Sequence, residues 1–236
     1  MPTIIIEQNY LIQNIRPEKI ASLLKDTEKK SRKEKTNDRI NELYNQVLRF
    51  PRKEMGTSRF VKLVYDTLVA WNMDRRGAEL SDFDTFEESL LKNNDVIQSL
   101  ARLRIEKLKE INNQLQETME FLYQNLELVK TNAPFITFSK TMHFFLPNLF
   151  VPVDRKYTIQ FFRTSIPPSV PERQFRNFCR VFEQFRQFAN ENRSILEAQI
   201  DPNSRWNKNI PKIINNIITA HMKRFEKCES FILRES

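Results

Sequence analysis

Phe138-Ser-Lys-Thr-Met-His-Phe-Phe-Leu-Pro-Asn-Leu-Phe-Val-Pro-Val-Asp-Arg-Lys-Tyr-Thr-Ile-Gln-Phe-Phe162 is the stretch on which the fold turns. Phe138, Met142, Phe144 and Phe145 lie at helical spacing, and Pro147 breaks the pattern. Asp154 then stands where a second apolar helix, running to Phe162, should begin. The segment therefore reads as helix, proline break, helix, with Lys140 on the first and Asp154 opening the second.

Outward from this segment the same period recurs. Ile40, Leu43, Tyr44, Val47 and Leu48 share a face that stops at Pro51, and Phe60, Leu63, Val64, Thr67, Leu68 and Trp71 mark another helix. Asn72 to Gly77 reads as its exit turn, and Asp82 to Leu91 as a short helix. Leu108, Leu115, Met119, Leu122, Leu126 and Val129 predict one long helix over about 95–130. Glu172 to Asn190 places Phe175, Phe178, Cys179, Phe182, Phe185 and Phe188 on one face. Ile210, Ile213, Ile214, Ile217, Ile218, His221, Met222 and Phe225 predict a final buried helix.

Glycine supports the all-helical reading. Gly56 and Gly77 are the only two in 236 residues. Primed hairpin turns and phosphate-cradling loops depend on glycine, so a Rossmann fold, P-loop, barrel or β-sandwich is not expected. The expected fold class is all-α, a compact multi-helix domain.

At the N-terminus, Ile4 to Ile6 is a short β-branched run, read as a strand or apolar strap, and Pro17 suits a first helical position. Residues 25–39 are densely charged, which fits a solvated helix or a linker. We therefore expect a strap and charged helical arm over 1–39 and one multi-helix domain over 40–236, with a subdivision near 95 left open.

Composition bounds the rest. Apolar residues make up 40% of the chain, enough for a packed core, and the formal charge of +8 favours an anionic partner, nucleic acid ahead of a membrane surface. Cys179 and Cys228 form no disulfide framework, and no secretory signal or bilayer-length apolar run is present, so a cytoplasmic location is expected.

Lys140 and Asp154 are the candidate catalytic residues. A lysine amine attacks carbon only when deprotonated, and apolar surroundings such as Phe138, Met142, Phe144 and Phe145 lower its proton affinity. The alternative is a lysine whose stem lies along apolar surface with its charge in water. Asp154 is either an acid/base partner or an N-cap, since its carboxylate can accept the free backbone N–H groups of a first turn.

Lys140-Thr141, Val153-Asp154 and the apolar helix that follows resemble the helix-hairpin-helix DNA glycosylases. The resemblance covers about residues 131–162. It implies that fold, a Lys140 amine able to form a Schiff base with a sugar, and an Asp154 carboxylate assisting base loss. Thr131 to Thr137 occupies the place of the family's hairpin without its glycines, and the lysine-to-aspartate interval is shorter. These departures imply a DNA clamp altered or lost.

Other chemistries lack their residues. His143 and His221 sit in apolar helical patterns, no spacing of His and Cys suggests a metal site, and no cofactor motif occurs. Asp82, Asp84, Glu87 and Glu88 read as charges favouring a helix N-terminus, with Mg²⁺ as the other possibility. Arg173, Arg176 and Arg180 lie opposite the Phe face and, with Arg155 and Lys156, are candidate phosphate contacts. Trp206, in Trp-Asn-Lys-Asn209, is either a stacking ring or packing. The leading expectation is nucleic-acid association through basic helical faces. A glycosylase or abasic-site lyase is the alternative, and a protein-interaction scaffold is a further one, whose sign would be a large exposed Phe patch.

Overall fold

Phe178 is met edge-on by Phe138 at 5.2 Å and by Phe135 at 5.5 Å, and Phe150 packs on Phe182 at 5.5 Å. This aromatic centre joins the segment 135–150 to the helix that carries Phe178 and Phe182. The computed structural model describes residues 9–33, 38–73, 79–131, 134–164, 170–204 and 206–235, with side chains for all of these but 28–33, 38, 171 and 227–235.

The helices are α1 (Tyr10–Asn14), α2 (Ile20–Lys33), α3 (Asp38–Arg49), α4 (Ser58–Ala70), α5 (Phe83–Lys92) and α6 (Asn94–Ser99). There follow α7 (Asn113–Asn125), α8 (Phe135–Phe145), α9 (Pro171–Glu191), α10 (Arg193–Glu197) and α11 (Ile210–Glu235). Among the described residues the only extended pairing is an isolated bridge between Leu80 and Val129, so the all-α expectation is met. Ile4 to Ile6, read as a strand or apolar strap, lies outside the described residues, as do Asp74 to Gly77 of the exit turn.

Helix starts follow the sequence signals. Thr57 caps α4 by accepting from Phe60 N–H, and Asp82 caps α5 by accepting from Thr85 N–H at 3.1 Å. Among the described residues no group of three His, Cys, Asp or Glu is placed to hold a metal.

The single long helix expected over 95–130 is instead α6, a short 3₁₀ turn (Ile105–Lys107) and α7. The reason is tertiary. Ile105 N–H donates to Asn148 O at 2.9 Å. Arg186 of α9 donates to the carbonyls of Leu108 and Lys109, and Asn190 to those of Ile105 and Leu108. Side chains from α9 thus supply donors to the carbonyls of a non-helical stretch of backbone. Asn112 restarts the helix, accepting from Leu115 N–H at 2.9 Å.

α11 runs along α2 and touches α9; α4 packs on α3, α5 and α8; and α8 packs on α9. Leu11, Ile15, Ile20, Leu23 and Leu24 are buried in the same core as the Phe residues of α8 and α9 and the Ile residues of α11. Among the described residues no helix is long and apolar enough to cross a membrane.

Candidate functional site

Ser139 fixes the relation between Lys140 and Asp154. Its hydroxyl donates to Ile136 O at 2.8 Å and accepts from Val153 N–H at 3.1 Å, tying the residue before Lys140 to the residue before Asp154. Asp154 then caps the next turn: one carboxylate oxygen accepts from Lys156 N–H (2.8 Å) and Tyr157 N–H (3.1 Å). That turn, Arg155–Ile159, is wide, with both Thr158 N–H and Ile159 N–H donating to Asp154 O. The cap and the charge are therefore one residue, because its field reaches Lys140 and favours the ammonium there.

Lys140 does not lie along a solvated face. It is 8% exposed, its Nζ 3.3 Å from Met73 Sδ and 5.3 Å from the centre of the Trp71 ring. A second lysine, Lys212, joins it from the first turn of α11. Asn209 positions that turn, its Oδ1 accepting from Lys212 N–H at 2.8 Å, and the Lys212 Nζ donates to Asn215 Oδ1 at 3.0 Å. Lys212 is 7% exposed, and three rings surround its ammonium: Trp206 at 5.2 Å, Trp71 at 5.4 Å and Tyr44 at 5.8 Å. Trp206 is held there by its loop. Ser204 Oγ accepts from the N–H groups of Trp206 and Asn207, and Asn216 donates to Trp206 O and Asn207 Oδ1.

Two like charges in one desolvated cluster cannot both hold their protons easily. Burial, the repulsion of Lys140 and the opposing pull of Asp154 leave Lys212 with a proton affinity lowered from 10.5 to about 7. Burial also lowers Lys140, though Asp154 offsets part of that. Both lysines therefore hold their protons less tightly than a free lysine, and each one's charge weighs on the other's titration. The place of Lys212 in the first turn of α11, at the positive end of the helix dipole, acts in the same direction. Among the described residues neither ammonium forms an ion pair.

On the helices that carry the cluster lie buried polar atoms with no hydrogen-bond partner among the described residues: both amide atoms of Asn41 and the hydroxyls of Thr137 and Thr141. Asn41 lies one turn before Tyr44 on α3. Thr137 and Thr141 share a face of α8 with Lys140 and with Phe144, whose ring meets Trp71 at 4.9 Å. Buried polar groups left unpaired in this way are what a polar ligand would satisfy.

His143 backs the cluster as a neutral core residue. Its Nδ1 faces Phe150 O at 2.7 Å, so Nδ1 carries the proton and Nε2 accepts from the Tyr44 hydroxyl at 2.9 Å. Burial holds His143 down to about 3 and pushes Tyr44 well above the ordinary phenol range. His221 is half-buried against Phe161. Cys179 is a free, partly buried thiol raised by burial to about 12, and the side chain of Cys228 lies outside the described residues.

The expected phosphate contacts differ among themselves. Arg155, Arg176 and Arg180 are exposed, while Arg173 is partly buried. Lys156 is exposed but pairs with Glu226 at 3.1 Å and lies over the Tyr157 ring. The Phe face of α9 is buried, so it presents no docking patch.

The chain matches no family model, no curated protein and no solved structure. Its functional reading therefore rests on the chemistry of the site.

Lys212, Trp71 and Tyr44 are functional candidates that the sequence does not single out. Lys212 follows Ile210-Pro211 at a position that helical spacing assigns to the polar side of an isoleucine stripe. The fold buries that side too, along with Asn215 and Asn216.

Proposed function

We propose that the protein associates with nucleic acid and that one nucleotide seats in the Lys140–Lys212 cluster. The carrying observation is two buried ammonium groups that share the Trp71 ring, the second also facing Tyr44 and Trp206. A phosphate supplies the charge that the pair lacks, and a base stacks on the indoles with little regard to sequence. The unpaired amide and hydroxyl groups of Asn41, Thr137 and Thr141 offer donors and acceptors to base or sugar. Exposed Arg155, Arg176 and Arg180 and the net charge of +8 support backbone contact outside the cluster.

Trp71 and Trp206 are the only two tryptophans of the chain, so its indole fluorescence reports on this cluster. A single-stranded oligonucleotide should quench that fluorescence saturably, more weakly as salt rises, and Lys140→Met/Lys212→Met should lose the effect. Retention by mobility shift with unchanged fluorescence would move binding away from the cluster and defeat the proposal, as would no binding at low salt.

A second reading has its own support. The Ser139–Val153 bond ties Lys140 to Asp154, as the glycosylase or abasic-site lyase alternative needs. Borohydride trapping on abasic DNA, lost in Lys140→Ala, is its expected sign; wild-type protein that traps nothing removes the lyase form.

A further inference from the structure

The two lysines of the cluster are not equivalent. Lys140 Nζ rests against a thioether and one ring, whereas Lys212 Nζ is ringed by three aromatic side chains and anchored to Asn215 Oδ1. A lysine desolvated by aromatic walls and set beside a second cation is the arrangement that leaves an amine unprotonated near neutral pH. Lys140 is the charge that opposes a proton on Lys212, and Asp154 the one that favours it. Asp154 faces the pair as its counter-charge.

We propose that Lys212 is an amine nucleophile that condenses with the carbonyl of an aldehyde or ketone bearing a phosphate or carboxylate, which Lys140 holds. This rests on the reading of the cluster as an anion site, and it does not need the anion to be part of a nucleic acid. The neutral Nζ adds to the carbonyl carbon, forming a C–N bond as the C=O π pair moves to oxygen. The alkoxide is stabilised by the adjacent Lys140 ammonium and takes up the proton released by nitrogen, giving a carbinolamine. Its hydroxyl takes one further proton from solvent and departs as water as the nitrogen lone pair forms the C=N bond, leaving the iminium; one proton is consumed, one water is released and nothing is oxidised or reduced. Asn215, by accepting from Lys212, fixes the direction of the amine and acts as a positioning residue.

The probe is pyridoxal 5′-phosphate with borohydride on the full chain, the modified lysines being located by peptide mapping. At pH 7 Lys212 should be labelled at least about ten-fold faster than exposed lysines such as Lys62, its rate rising through a midpoint near 7 where exposed lysines show none. Lys140→Met should move that midpoint upward, because the repelling charge is gone, and weaken the preference for the phosphorylated aldehyde over pyridoxal. Labelling of Lys212 no faster than that of Lys62 overturns the proposal, and since this is mapped on wild-type protein it does not depend on whether any variant folds. The two readings part cleanly. Saturable tryptophan quenching by an oligonucleotide without Lys212 labelling sinks the nucleophile and keeps the binding site, whereas labelling without such quenching keeps the nucleophile and removes nucleic acid.

Discussion

A single buried lysine leaves a signature in the pH dependence of stability. The unfolded chain returns Lys212 to its ordinary affinity of 10.5, while the folded protein holds it at about 7. Between these values the unfolded state binds more protons, so the folded state gains stability as pH rises from about 7 towards 10.5. Below about 7 the lysine is charged in both states and the folded protein bears the whole cost of burying it. That cost is at most roughly 5 kcal/mol, at about 1.4 kcal/mol per tenfold in affinity. Lys212→Met keeps the length of the side chain and removes the charge. It should therefore raise stability by several kcal/mol at pH 6, the advantage shrinking towards pH 10. Denaturant melts of both proteins at pH 6, 8 and 10 measure it, and a difference that stays flat across the three contradicts a lowered affinity. This residue is hard to see in the sequence because helical spacing gives a polar side but not whether water reaches it. Lys140 is easier, since Phe138, Phe144 and Phe145 flank it within one helix. Asp154 reads from sequence as either cap or acid/base partner; its two backbone bonds make it a cap, and its charge also acts on both lysines.

At the scale of elements, spacing and punctuation locate α3, α4, α5, α9 and α11, because each has an apolar stripe and a nearby proline, cap or turn. The segment between α6 and α7 defeats the same logic. No glycine or proline interrupts 95–130, and Leu108, Leu115, Met119 and Leu122 continue the helical step. What stops the helix is remote in sequence: Arg186 spans Leu108 O at 3.0 Å and Lys109 O at 2.6 Å while also pairing with Glu183. Such a bond cannot be inferred from local pattern. Arg186→Ala should leave Lys109 O without its donor and Leu108 O with Asn190 alone, and cost about 2 kcal/mol, with hydrogen exchange quickening first over residues 105–112. Exchange that speeds uniformly over all helices, or a loss under about 0.5 kcal/mol, would show that the turn stands without this clamp.

Across the whole molecule, the +8 surplus divides between two settings, charges buried in the lysine cluster and charges spread over solvent-facing helices. Under the proposed association with nucleic acid, these should contribute to binding in separable ways. Exposed guanidinium groups act by releasing counterions, so each phosphate contact adds about 0.7 to the slope of log affinity against log salt on a single strand. Buried ammonium groups beside rings add stacking and contact that salt screens less. Replacing Arg155, Arg176 and Arg180 together with alanine should therefore flatten the slope by about 2 while saturating oligonucleotide still quenches the tryptophans fully. The three side chains are exposed and make no ion pair with a described residue, so the fold should tolerate their loss. Lys140→Met/Lys212→Met should do the converse, removing the quenching and lowering affinity while leaving most of the slope. Fluorescence titrations and mobility shifts at three salt concentrations measure both quantities on the same proteins. An unaltered slope in the triple variant would mean that these arginines do not track a phosphate backbone, and the surface part of the proposal would then fall while the cluster could still bind a single nucleotide.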